Sequence, residues 1–174
     1  MVMKIRLVSF LVLITSFAFT QQLFPDRITG RWTGMLHLWK NGELQDSVLV
    51  ILTVRPLGAE TWQWKMEYKS AMRPMTKDYR IKVLDRKQHT YITDEGAGIE
   101  LEDYAFGDRM MSMFETQDTW LTSTQELSGE LLHFQVTAGK KTRTLDQGVT
   151  NYSVTSLQRA TLTRDQITTP TRKP

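Results

Sequence analysis

Three groupings in this 174-residue chain have residue types that could do chemistry: its histidines, a run of acids and a stripe of aromatics. The histidines, His37, His89 and His133, raise metal or haem binding. They lie far apart with no ligand-like spacing, and His37 and His133 fall opposite the apolar residues of their own runs. A metal site needs convergent ligands with supporting partners, so solvated or hydrogen-bonded imidazoles are expected, with no metal and no cofactor. The acids Asp94, Glu95, Glu100, Glu102, Asp103 and Asp108 raise a calcium loop or a catalytic carboxylate pair. The ligand spacing of a calcium loop is missing, and Glu100 and Glu102 alternate with Ile99 and Leu101, the pattern of a wet outer face. A solvated rim is the reading. The chain has no Cys nucleophile, no Gly-x-Ser-x-Gly, no phosphate loop and no His-Glu-x-x-His. Without a convergent acid, base and nucleophile, no enzyme is expected.

The aromatic stripe is more informative. Trp62, Trp64, Met66 and Tyr68 alternate with Gln63, Lys65, Glu67 and Lys69, so one face is apolar and the other polar. That period of two marks a half-buried strand. With Trp32 and Phe134, these side chains are candidates to line a pocket for a small apolar or amphipathic molecule. The competing reading is that the same rings only fill a core, since cores use large aromatics as readily as pockets do. Met110, Met111 and Met113 beside Phe114 fit core filling, because methionine adapts to irregular apolar space.

The elements that would carry these residues are legible in the turn chemistry. Asn41-Gly42, Pro56-Leu57-Gly58, Gly96-Ala97-Gly98, Gly107-Asp108, Ser128-Gly129 and Gly139 separate short runs rich in β-branched and aromatic residues. Such spacing belongs to an all-β sandwich or barrel. About ten strands are predicted, near 30–39, 45–55, 61–69, 77–85, 88–94, 98–106, 109–116, 119–127, 130–138 and 151–163. Short links favour an up-and-down antiparallel order, because consecutive antiparallel strands need only a tight turn. No amphipathic helix of useful length is expected. Gly139 to Thr150 reads as a mobile loop, and 167–174 as a disordered tail after a single domain over 21–166.

Residues 1–20 have the layout of a signal peptide: Lys4 and Arg6, then an apolar stretch from Leu7 to Phe19 that is too short to span a bilayer. The expectation is export to a periplasm or the extracellular space, with no stable membrane span after cleavage. Losing those two cations takes the formal charge from +3 to +1, too little to argue for nucleic acid. Lys77, Asp78, Arg80, Lys82, Asp85, Arg86 and Lys87 are too dense for the lipid-facing band of an outer-membrane barrel.

At Gly30-Arg31-Trp32-Thr33-Gly34 the first strand resembles the calycin superfamily: lipocalins, fatty-acid-binding proteins and their bacterial lipocalin-like relatives. The resemblance implies that the Trp of the Gly-x-Trp motif closes one end of the barrel beneath a basic residue from a late strand. Gly30, Trp32 and Arg159 would form that cap, with Arg164 as second choice. Asp103-Tyr104 also resembles a lipocalin Thr-Asp-Tyr turn, with Glu102 in place of Thr. The helix that lipocalins pack on the barrel has no counterpart here. An exported lipocalin-like barrel holding a small hydrophobic ligand follows, for which a void below about 300 Å³ would count heavily against binding. The alternative is a cell-envelope structural or interaction module with a filled barrel. No protein partner is legible.

Overall fold

The computed structural model describes residues 22–144, 148 and 150–166. The expected signal peptide and tail lie outside them. A single turn of helix, α1 (Phe24–Arg27), precedes ten strands. These are β1 (Gly30–Lys40), β2 (Glu43–Gly58), β3 (Thr61–Lys69), β4 (Met75–Asp85), β5 (Thr90–Gly96), β6 (Ile99–Phe106), β7 (Arg109–Thr116), β8 (Thr119–Ser128), β9 (Leu131–Thr144) and β10 (Thr150–Arg164). Each strand pairs antiparallel with its sequence neighbours, and β1 pairs with β10 to close an up-and-down barrel. The predicted fold class is the observed one. Among the described residues no helix is long and apolar enough to cross a membrane.

Local chemistry explains the hairpins. Asn41 and Gly42 take φ of 52° and 86°, the two-residue geometry whose twist matches that of paired strands. On β3 the alternation holds as read: Trp62, Trp64 and Met66 are buried, with Gln63, Lys65 and Glu67 on the other face. On β2, Val48, Val50, Leu52 and Val54 point into the core, while Ile51 is buried out of phase. With exposed Leu49 on the same outer face, it leaves the strand's alternation unreadable in sequence.

One expectation about the strands is corrected. Gly139 to Thr144 is no loop: β9 continues to Thr144, with Lys140 paired to Ser153 and Arg143 to Asn151, while 145–147 and 149 of the expected loop lie outside the described residues. The β8 ladder ends at Lys140 and the β1 ladder at Ser156, so among the described residues the distal part is a two-stranded ribbon with no third strand. Such a ribbon buries neither face, so selection for alternating polarity is absent. One barrel end also carries a plug, unforeseen in the sequence. Leu23, Phe24, Pro25 and Ile28 are buried there. Trp32 Nε1 donates to Ile28 O at 2.8 Å, and Trp62 Nε1 donates to Asp26 Oδ1 at 2.8 Å. The Tyr91 hydroxyl accepts from Phe24 N at 3.4 Å.

The guanidinium over the closing tryptophan belongs to Arg164, not Arg159. Its centre lies 4.3 Å from the Trp32 ring centroid, and it donates to Thr29 O and, at 2.8 Å, to Arg27 O. Gly30 sits beside it, where a Cβ would lie 3.3 Å from Arg164 Nη1. Arg159 pairs with His37 and is exposed on the outer wall, out of phase with inward Ala160 and Leu162.

Candidate ligand cavity

Above the plug the barrel is unevenly filled. Leu36, Val50, Leu52, Ala160 and Leu162 pack solidly along β1, β2 and β10. A cavity of about 280 Å³ lies instead against β3 to β9, lined by residues from each of those seven strands. Its volume falls just below the threshold of about 300 Å³ set above, which counts against a ligand of ordinary size and restricts any binding reading to a compact molecule. Burial falls from Trp64, Met66 and Phe134 at the floor to partly exposed Lys77, Glu95, Phe114 and Leu121. The mouth therefore faces away from the plug.

Of the residues singled out in sequence, Trp64, Met66, Tyr68 and Phe134 line this cavity. Trp32 and Trp62 do not: both are committed to the closed end by their bonds to the plug. Met110 joins the lining, whereas Met113 faces outward and is 74% exposed. The histidines stay outside it. His37 Nδ1 lies 2.7 Å from Ser47 Oγ, and His133 Nδ1 lies 3.1 Å from Thr161 Oγ1, both exposed pairs. Among the described residues no three His, Asp or Glu converge in a way that could hold a metal ion.

The acidic run divides in a way its composition hides. Glu100 and Glu102 are exposed, as read, and the Tyr104 hydroxyl donates to Glu102 Oε2 at 2.6 Å on the outside. Asp103 is no rim residue and stands in no turn. It lies within β6, in phase with Leu101, and is only 4% exposed. Thr93 and Ser112 donate hydroxyl hydrogen bonds to it from the flanking strands. Ser112 stands opposite Ser123, so a polar band crosses β5 to β8 on the cavity wall. Next to it, Gln125 donates Nε2 to Ser123 Oγ at 2.8 Å, while its buried Oε1 has no partner among the described residues.

Electrostatics follow from this placement. Burial pushes the Asp103 carboxyl above the ordinary aspartate range, the Thr93 and Ser112 hydroxyls pull it back, and nearby Glu95 adds to the rise. Burial and Glu95 likewise push the Tyr68 phenol up to about 12. Tyr79 is raised for the same two reasons and hydrogen-bonds Glu95, with Lys77 Nζ 5.7 Å from its ring centroid.

A folded pKa above the unfolded one means that the folded state holds a proton the unfolded chain has released. The contribution of Asp103 to stability is therefore complete below the ordinary value of 3.8 and is lost as pH rises through the raised value. Asp103→Asn should match the wild type in urea melts below that ordinary value and exceed it at neutral pH. A gap that does not change with pH would contradict this.

No protein-family profile and no curated protein matches the chain at significance. Solved structures do. The S-type phycobiliprotein lyase CPES from Guillardia theta aligns with a TM-score of 0.61 at 9% identity, covering 82% of this chain and 91% of that one. A protein of unknown function from the DUF3598 family of Nostoc punctiforme aligns at 0.58 and 12% identity, covering 81% of this chain and 49% of that one. This chain thus spans about half of that longer protein. Rv2717c from M. tuberculosis aligns at 0.52 and 12%, covering 79% and 92%. Identities this low speak to fold. With the closed ten-strand barrel, the fold is calycin-like.

Proposed function

We propose that this protein is a binding barrel that takes a compact amphipathic molecule into its interior, without catalysing a reaction. The carrying observation is the lined void between β3 and β9, with apolar walls and a buried polar band. The filled-barrel alternative needs an interior without such a void. CPES is named as a lyase, but at 9% identity that likeness carries no lyase chemistry to this chain.

The test is a thermal-shift and native mass-spectrometry screen with small neutral amphiphiles such as octanol, beside fatty acids, isoprenoids and haem. Leu121→Trp serves as the control, because a bulky ring at the mouth occupies the void. Stoichiometric binding by the wild type that is lost in this variant supports the reading, provided that the variant keeps its β-sheet spectrum. Failure of every probe to bind overturns it.

Export is part of the same proposal and rests on the charge and apolar pattern of residues 1–20. Mass spectrometry of the native chain should find its start near Gln21; an intact Met1 to Thr20 would sink the idea.

A further inference from the structure

We propose that the cavity selects molecules carrying a protonated amine, whose ammonium group is received by Asp103 and the free amide oxygen of Gln125. This rests on the binding reading above and names its ligand class. The reason is the balance of hydrogen-bonding groups deep in the site. Asp103 is 4% exposed and Gln125 is 6% exposed, and both line the cavity. An ammonium beside Asp103 holds its carboxyl ionised against the effect of burial, and an ionised carboxylate only accepts hydrogen bonds, with four acceptor positions against the two hydroxyls that reach it. The Gln125 Oε1 atom is a buried acceptor with no partner among the described residues. A buried acceptor left unpaired is costly, so the site is completed by a donor that arrives with the ligand.

Charge points the same way. Among the described residues the lining holds Asp103 and Glu95 against Lys77, one more carboxylate than cation. Lys77 is at the partly exposed end, by the Tyr79 ring, and not among the buried polar groups. An anionic ligand that put its carboxylate deep in the barrel would meet Asp103 as a like charge. An alkyl or aryl chain packs on Trp64 and Phe134 whatever its head group, so the head group decides selection.

Octylamine, octanol and octanoate share one eight-carbon chain and differ only in the head group. Isothermal titration at neutral pH with the full-length wild type should rank octylamine first, by about ten- to a hundredfold over octanol, the range expected for hydrogen bonds to a charged group. In Asp103→Asn that preference should collapse to within a few-fold while octanol binding persists. Gln125→Leu should weaken the amine by a smaller factor. If octanol or octanoate binds the wild type as tightly as octylamine, the amine proposal is overturned and the binding reading stands. If none of the three binds, the amine proposal is overturned, and the binding reading falls only if every other probe of the wider screen fails as well. A preference for octylamine that survives Asp103→Asn in a folded protein would also overturn it, since Asp103 would not be the receiving group.

Discussion

Replacing Trp32 by Ala should lower the unfolding free energy by about 3–5 kcal/mol, the usual cost of emptying a buried tryptophan site. The ring is fully buried, and its indole N–H also holds Ile28 of the plug. Arg164→Ala should cost less, about 1–3 kcal/mol, because it removes a cation–π contact and leaves the carbonyls of Thr29 and Arg27 without their donor. Since the two side chains touch, the double mutant should lose clearly less than the sum of the single losses. Arg159→Ala, on the exposed outer wall, should stay within about 0.5 kcal/mol of the wild type. Urea melts of the four variants give all of these values. Additive losses at Trp32 and Arg164 would mean that the two do not act as one cap.

The second large effect is expected at Gly34. A Cβ on this residue would lie 2.3 Å from Thr161 O and 2.9 Å from Leu162 Cδ2. Leu162 could rotate, but Thr161 O is backbone of β10, the strand that closes the barrel on β1. Relief therefore requires the closing strands to move apart. Gly34→Ala should cost about 3 kcal/mol, the upper part of the range for overpacking. Hydrogen exchange should show the loss of protection centred on β1 and β10. A melt unchanged from the wild type would show that the strands separate there at little cost. Gly42→Ala offers a comparison, since its penalty would come from the turn conformation: among the described residues nothing lies within 4 Å of a Cβ there.

Both effects arise at the closure, and closure marks the boundary of what the sequence determines by itself. Strand number, antiparallel order and most strand limits follow from local signals: period-two alternation and turn residues act within a few positions of one another. The inward face of β3 was legible because Trp62, Trp64 and Met66 keep strict alternation with polar neighbours. Asp103 was legible in principle as well, being in phase with Ile99 and Leu101, yet the acids around it disguised its face. Arg164 likewise continues the phase of Ala160 and Leu162.

Tertiary structure alone decided the rest. Trp32 stands opposite Arg164, and His37 opposite Arg159, because of the register in which the first strand meets the last. No local pattern in either strand specifies that register. The plug is a comparable case: Leu23 to Ile28 has no periodicity and gains its structure from hydrogen bonds to Trp32, Trp62, Tyr91 and Arg164, all distant in the chain except Trp32. Those bonds take Trp32 and Trp62 out of the cavity, where the aromatic stripe alone would have placed them. The void lies against β3 to β9 because β1, β2 and β10 bring enough apolar volume to fill their own side. That balance of volumes is a property of the closed barrel and of no single strand.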